Sequence, residues 1–205
     1  MKIICSKSNL LKSVNISLKA VPSKTTMPIL ECILMDATTN QIKFTTNDME
    51  LGIETKVEGS ILSKGKIALD AKLLSEIIRK LSGGESDITI ESDDKYNTTI
   101  TCDNSVFHIQ GKNGDEFSYL PFIEKDHFIC LSQFTLKEVI RQTLFSISVN
   151  DSNKMMTGEL FQVTDNELKV VSLDGHRMSI RKVELEDHYE NIKVIVPGKT
   201  LGEIS

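Results

Sequence analysis

The sequence predicts an α+β protein in which one unit is used twice, each copy carrying two helices packed on one face of antiparallel sheets. Three observations predict it. The chain matches itself at an offset of 126 residues, apolar residues switch between the two-residue period of strands and the 3.6-residue period of helices, and turn residues punctuate these runs. At that offset Ile3 falls on Ile129, Leu10 on Leu136, Val14 on Ile140, Leu18 on Leu144 and Val21 on Ile147. Ile42, Lys43 and Phe44 fall on Leu168, Lys169 and Val170, and Asp48 falls on Asp174. With one residue of slip, absorbed in a loop, Lys66 meets Lys193, Ile67 meets Val194, Lys72 meets Lys199, Leu74 meets Leu201 and Ile77 meets Ile204.

Taken in order, KIIC at residues 2–5 reads as a strand. Leu10, Leu11, Val14 and Leu18 then form the apolar stripe of a helix over 7–20, with Ser6 or Ser8 as its cap. MPILECILM, residues 27–35, is apolar enough for a buried strand, and strands at 29–36 and 41–46 flank a TTN turn. Ile53, Thr55 and Val57 alternate inward on another strand. Leu73, Leu74, Ile77, Ile78 and Leu81 make a helix over 70–81, ended by Gly83 and Gly84, and strands follow at 87–91, 97–102 and 105–110. Pro121 marks a joint, so the expected organisation is a first domain at 1–120, a linker at 121–127 and a second domain at 128–205. The second domain repeats the order from a strand near Phe128 and a helix over 135–147. It reaches Ser205 about one turn into its second helix, PGKTLGEIS, so it is expected to be cut short at the C-terminus and the chain to be a piece of a longer protein.

The composition is that of a globular protein of 205 residues, 40% hydrophobic. No run approaches the roughly 18 apolar residues of a membrane span, and MKIICSKSNL turns polar before a secretory stretch develops, which predicts a cytoplasmic protein without membrane partners. Cys5, Cys32, Cys102 and Cys130 lack metal-ligand spacing and sit in or beside apolar runs, so they are expected to be buried free thiols, with no cofactor or metal. A net charge of −5 disfavours nucleic acid at first sight, because DNA affinity comes largely from Lys and Arg neutralising phosphates. The segments 7–20, 70–81, 135–147 and 198–205 nevertheless carry +5 together, leaving −10 on everything else, so basic helices are set against acidic strands and loops.

The sharpest local sequence is SLDGHRMS, residues 172–179. Asp174-Gly175 suits a two-residue type I′ turn between strands 167–172 and 177–185, with His176 and Arg177 starting the second strand. Asp174 and His176 could also be an acid/base pair, but neither a nucleophile elbow nor a metal-ligand pattern accompanies them, so a hairpin with a binding surface is the better reading. The repeat partner TNDMEL has Asp48 without Gly-His-Arg. Lys24 lies in a polar loop, and Asn150 and Lys154 lie in its counterpart. Lys12 and Lys19, Lys72 and Arg79, and Lys137 and Arg141 each share a helix face. There is no Gly-rich phosphate loop and no aromatic-basic stacking run, so any DNA contact would be to phosphates without sequence readout.

MPIL, the strand before Asp48, SLDGHRMS, KVIVPGKTL and the internal repeat together resemble the family of bacterial replication sliding clamps, the β subunit of DNA polymerase III, in order from Met1 to Ser205. The resemblance implies the DNA-clamp fold and a non-catalytic processivity factor. Its full chain has three such domains and pairs head to tail into a homodimeric ring around duplex DNA, on which the polymerase α subunit, the clamp loader and other replication and repair proteins dock. It implies a partner-peptide groove at Met156, Leu173, Gly175, His176, Arg177 and Met178, with the rest of the groove contributed by later sequence. It implies DNA-facing positions at Lys24, Asn150 and Lys154, with Lys72, Arg79, Lys137, Arg141 and Lys199 lining the lumen, and a subunit interface around Phe107. Two other classes fit some of the same residues: a peptide adaptor that does not bind DNA, and a small hydrolase using Asp174 and His176.

Overall fold

Ser6 ends the first strand and starts the first helix, its hydroxyl accepting the Asn9 backbone N–H at 3.3 Å and satisfying one donor that the first turn leaves open. A computed structural model describes residues 1–81, 86–118, 120–121, 128–149 and 152–205. The chain divides into two units, Met1–Pro121 and Phe122–Ser205. Apart from Pro121, the expected linker at 121–127 lies outside the described residues, as do Gly83 and Gly84.

In the first unit β1 (Lys2–Ser6) leads into α1 (Lys7–Ser17), which tightens into a 3-10 turn at Leu18–Ala20. MPILECILM is not one strand. Pro28, which has no N–H to give a sheet, opens a 3-10 turn at Pro28–Glu31, and extended backbone begins with β2 (Cys32–Asp36). There follow β3 (Ile42–Asn47), β4 (Gly52–Val57), β5 (Ser60–Ser63), β6 (Lys66–Asp70) and α2 (Ala71–Lys80), which Asp70 caps by accepting the Leu73 N–H at 2.8 Å. Then come β7 (Asp87–Ser92), β8 (Asn97–Cys102), β9 (Ser105–Gln110) and β10 (Lys112–Asn113). Two antiparallel sheets result, ordered β5-β1-β7-β8-β9 and β10-β6-β2-β3-β4. Ile3, Leu10, Val14, Ile33, Phe44, Leu69, Leu74, Ile78 and Ile100 draw both sheets and both helices into one core. Each large apolar side chain buried there contributes about 1.5–3 kcal/mol.

The second unit repeats this arrangement with merged strands. It has α3 (Gln133–Thr143) with its own 3-10 continuation at Leu144–Ser146, a 3-10 turn at Lys154–Thr157, β11 (Gly158–Leu173), β12 (Met178–Pro197) and α4 (Gly198–Ile204). Ser132 caps α3 as Ser6 caps α1, accepting the Thr135 N–H at 3.0 Å. The Thr46 hydroxyl donates to the Ser17 carbonyl at 2.8 Å, and at the equivalent positions Ser172 donates to the Thr143 carbonyl at 2.6 Å. The ladders agree as well: Cys32↔Asp70, Ile42↔Val57 and Asn47↔Gly52 in one unit match Gly158↔Pro197, Leu168↔Val183 and Leu173↔Met178 in the other. Irregular register around Asp165, whose φ is 55°, separates the two halves of the long hairpin.

Two further expectations fail. Residues 128–132 form no strand: β1 is held between β5 and β7, and no counterpart of β7 follows α4 in these 205 residues. Cys5, Cys32 and Cys102 are buried as expected, but Cys130, on that unpaired segment, is exposed. Burial, with a smaller push from Asp87, raises the Cys5 thiol to about 11. One residue departs from the apolar pattern of the core. Glu159 is 0% exposed where the first unit has Ile33, and neither carboxyl oxygen has a hydrogen-bond partner among the described residues.

Candidate partner groove and basic helix faces

Inside the last ladder pair of β11 and β12, Leu173↔Met178, the Asp174 backbone N–H donates to the Arg177 carbonyl at 3.3 Å, so Gly175 and His176 and not Asp174 and Gly175 are central, and with positive φ at Gly175 alone the turn is not type I′. The Asp174 side chain builds it. One carboxylate oxygen accepts the His176 and Arg177 backbone N–H groups at 3.0 and 3.1 Å, and the other accepts Arg177 Nε–H at 2.9 Å. These donations, that of His176 foremost, hold the Asp174 carboxyl below its ordinary range. Asp174 meets His176 through the backbone and not through the imidazole, so the alternative acid/base pair is not assembled.

TNDMEL in the first unit folds the same way. Asp48 accepts from the Glu50 and Leu51 N–H groups at 3.0 and 2.6 Å, and Met49 has φ 75° where Gly175 has 87°. The aspartate therefore belongs to the loop's architecture in both units, whereas Gly-His-Arg is peculiar to the second.

Beside this hairpin lies a pocket of about 230 Å³ lined by Asn153, Met155, Met156, Gly158, Leu160, Val171, Leu173 and Ile195. β11 is apolar on both faces. Phe161, Val163, Leu168 and Val170 enter the core beneath the helices, while Leu160, Val171 and Leu173 turn to the opposite face. By register Met178 and Ile180 lie on that same outer face, beside Leu173 and Val171, and both are exposed.

Of the groove residues expected from sequence, Met156 and Leu173 are thus brought together in the pocket, with Met178 at its edge. Gly175, His176 and Arg177 are exposed on the adjoining loop and do not line the pocket. Leu160, Val171 and Ile195 were missed. Their signal was a strand apolar at both parities, and the irregular register that assigns each side chain to a face is not visible in the sequence.

The first unit closes the equivalent surface with its own chain. Leu34, Thr45 and Ala68 stand where the second unit has Leu160, Val171 and Ile195, and all are buried. β10 extends the sheet beside β6, where Lys112 Nζ donates to the Pro28 carbonyl at 2.8 Å, and the turn after it packs on β2, so tightly that a Cβ on Gly114 would be 3.0 Å from Leu34 Cδ1; a Cβ on Gly52 would meet Leu120 Cδ2 at 2.1 Å. At the repeat offset of 126 residues the counterparts of this covering segment would fall past Ser205, so the two faces correspond only over the strands themselves.

On the helices of the first unit Lys12, Lys72 and Arg79 are exposed, and Arg79 Nη2 donates to Asn15 Oδ1 at 2.9 Å, so the outer faces of α1 and α2 adjoin. Lys7 is different: its Nζ bonds the Leu81 carbonyl at the end of α2. In the second unit Lys137, Arg141 and Lys199 are exposed, but Arg141 forms a bidentate pair with Glu138, at 3.0 and 2.8 Å, which offsets much of its charge. That pair, chiefly its hydrogen bonds, lowers the Glu138 carboxyl and raises the Arg141 guanidinium. Lys24 is exposed in its loop, and its repeat partner Asn150 lies outside the described residues. Lys154 does not sit at a loop tip; it opens a 3-10 turn at the position of Pro28. Phe107 turns toward the core of the first unit, so the open edge of β9 offers its backbone with Val106 and His108. Among the described residues no group of three metal-ligating side chains occurs, and no helix is long and apolar enough to cross a membrane.

Fold and site together define a protein of repeated α+β units with a surface pocket for apolar side chains. Residues 1–121 match the model of the DNA polymerase III beta subunit, N-terminal domain, and residues 130–205 that of its central domain. The chain belongs to the DNA polymerase III beta subunit family. It is 34% identical over 213 residues to a beta sliding clamp of Staphylococcus epidermidis and 36% identical over 216 residues to one of Halalkalibacterium halodurans. Both alignments take in 100% of this chain and 56% of the relative, so the chain spans about half the length of these proteins. Among solved structures it is similar to a putative DNA polymerase III beta subunit of Eubacterium rectale, with 62% identity and a TM-score of 0.94, covering 100% of this chain and 55% of that one. It is also similar to the DNA polymerase sliding clamp of Bacillus subtilis, with 34% identity and a TM-score of 0.93, covering 100% and 56%.

Proposed function

We propose that this chain is the first domain and most of the second of a sliding clamp. The whole protein is a non-catalytic, cytoplasmic processivity factor whose homodimeric ring encircles duplex DNA. It tethers the replicative polymerase, the clamp loader and other replication and repair proteins through a groove on the second unit. The observation that carries this reading is an apolar pocket on the outer sheet face of the second unit, next to the loop that bears Gly-His-Arg. Such a pocket suits a leucine or phenylalanine side chain of a peptide, with polar groups at its rim to orient the backbone.

Lys24, Lys72, Arg79, Lys137, Asn150, Lys154 and Lys199 are the proposed DNA-facing positions, with Arg141 contributing less because of Glu138. Retention that is topological needs only weak, non-specific phosphate contacts, which reconciles basic helices with an acidic whole. The edge of β9 around Phe107 is the proposed site of contact with a second subunit.

The test uses the full-length protein loaded on nicked circular DNA and on the same DNA made linear. A ring stays on the circle and runs off free ends. Equal retention on the two forms, or retention on neither, overturns the reading, the latter in favour of a peptide adaptor.

A further inference from the structure

Arg177 is fixed from two sides. Its Nε–H donates to Asp174 at 2.9 Å, and its guanidinium carbon lies 5.8 Å from the centre of the Phe145 ring, within cation–π range. Phe145 belongs to the 3-10 turn that continues α3, outside the hairpin and the pocket lining. That turn is tied to the strand leaving the hairpin, because the Ser146 and Ser179 hydroxyls meet at 2.6 Å. A hydrogen bond thus joins the residue after Phe145 to the strand that leaves the loop carrying Arg177.

Nothing in the fold requires this pair. The equivalent loop of the first unit adopts the same Asp-capped conformation with Lys19 in place of Phe145 and Leu51 in place of Arg177. Phe145 is 59% exposed, a poor position for an aromatic ring whose only role is burial. Holding a long exposed side chain still costs conformational entropy, and here two partners do so beside an open pocket. The Asp174 contact occupies the Nε edge, and the two Nη groups meet no acceptor among the described residues.

Resting on the groove reading above, we propose that Phe145 is a positioning residue of the partner site. With Asp174 it holds the Arg177 guanidinium so that its Nη groups take a backbone carbonyl or carboxylate oxygen of a peptide whose apolar side chain fills the pocket. The recognition surface thereby extends from the hairpin onto the turn after α3. A preset guanidinium loses less freedom on binding than a mobile one.

The test measures fluorescence anisotropy of a labelled, terminally blocked peptide containing adjacent leucine and phenylalanine, titrated with the 205-residue chain. Phe145→Leu is expected to weaken binding about twofold to fivefold and Phe145→Trp to restore it. In an Arg177→Gln background Phe145→Leu is expected to have no further effect. The Arg177 Nε–H resonance, shifted by the ring in the unsubstituted chain, should move in the leucine variant and confirms that the variant is otherwise folded. If Phe145→Leu costs as much without Arg177 as with it, the ring is itself a contact and the positioning role is wrong. If it changes nothing while Met156→Ala weakens binding, the proposal fails and the groove stands. If the unsubstituted chain and Met156→Ala bind equally, or neither binds, the groove and the proposal fall together.

Discussion

At the scale of single residues, Glu159 shows most clearly where chemistry departs from pattern. The repeat places an isoleucine at its counterpart, Ile33, yet Glu159 is just as buried. The nearby Thr143 hydroxyl gives its proton to the Val139 carbonyl at 2.8 Å, so the carboxyl is left without a donor. Burial therefore raises the Glu159 carboxyl above its ordinary value of 4.5. A raised acid keeps its proton longer when folded than when unfolded. Stability is then greatest below the unfolded value and falls as pH rises through it toward the folded one. Glu159→Met should stabilise the chain by about 1–3 kcal/mol at pH 8, with the difference shrinking at pH 5, as read from urea midpoints at the two pH values. A destabilised methionine variant at pH 8 would show that the acid has a partner in the core. The cysteines give a second residue-scale expectation. A thiol reagent applied to the native chain should modify Cys130 rapidly and Cys5, Cys32 and Cys102 only on unfolding, because only the first is accessible.

At the scale of elements, helices were the most legible. Ser6 caps α1 as the serine before the apolar stripe predicts, whereas α3 starts at Gln133, two residues before the expected 135, under a Ser132 cap that went unpredicted. The 3-10 turns at Pro28–Glu31 and Lys154–Thr157 were hidden, because a short apolar run looks alike as a strand or a turn and only Pro28 hints at the difference in one copy. The pocket was half legible. Met156 and Leu173 came with the family resemblance, whereas Leu160, Val171 and Ile195 depend on which way each side chain faces after the irregularity at Asp165. In α4 the two glycines should behave oppositely. A Cβ on Gly198 would stand 2.2 Å from Ile147 Cδ1 and 2.9 Å from the Thr157 carbonyl oxygen, so Gly198→Ala should loosen the docking of the helix. Gly202 has only Leu144 Cδ2, at 3.9 Å, so Gly202→Ala should stabilise by about 0.5–1 kcal/mol through helix propensity. Thermal unfolding of the two variants checks both, and equal shifts would contradict the packing described for Gly198.

At the scale of the whole chain, duplication separates what the fold needs from what function adds. Shared features are the caps, the buried hydroxyl on the helix end (Thr46 and Ser172) and the Asp-built loop (Asp48 and Asp174). Features of the second unit alone are the Gly-His-Arg tip and the Phe145–Arg177 contact. The basic helix faces occur in both, with Lys72 and Arg79 in one and Lys137 and Lys199 in the other. The central claim is that the outer sheet face of the second unit receives an apolar side chain in the pocket beside the Gly-His-Arg loop. Methyl-labelled NMR of this chain, titrated with the leucine-phenylalanine peptide, tests it directly. The account predicts shifts at Met155, Met156, Leu160, Val171, Leu173 and Ile195 with Leu34 and Ala68 unmoved; shifts spread over both units, or confined to the first, would contradict it.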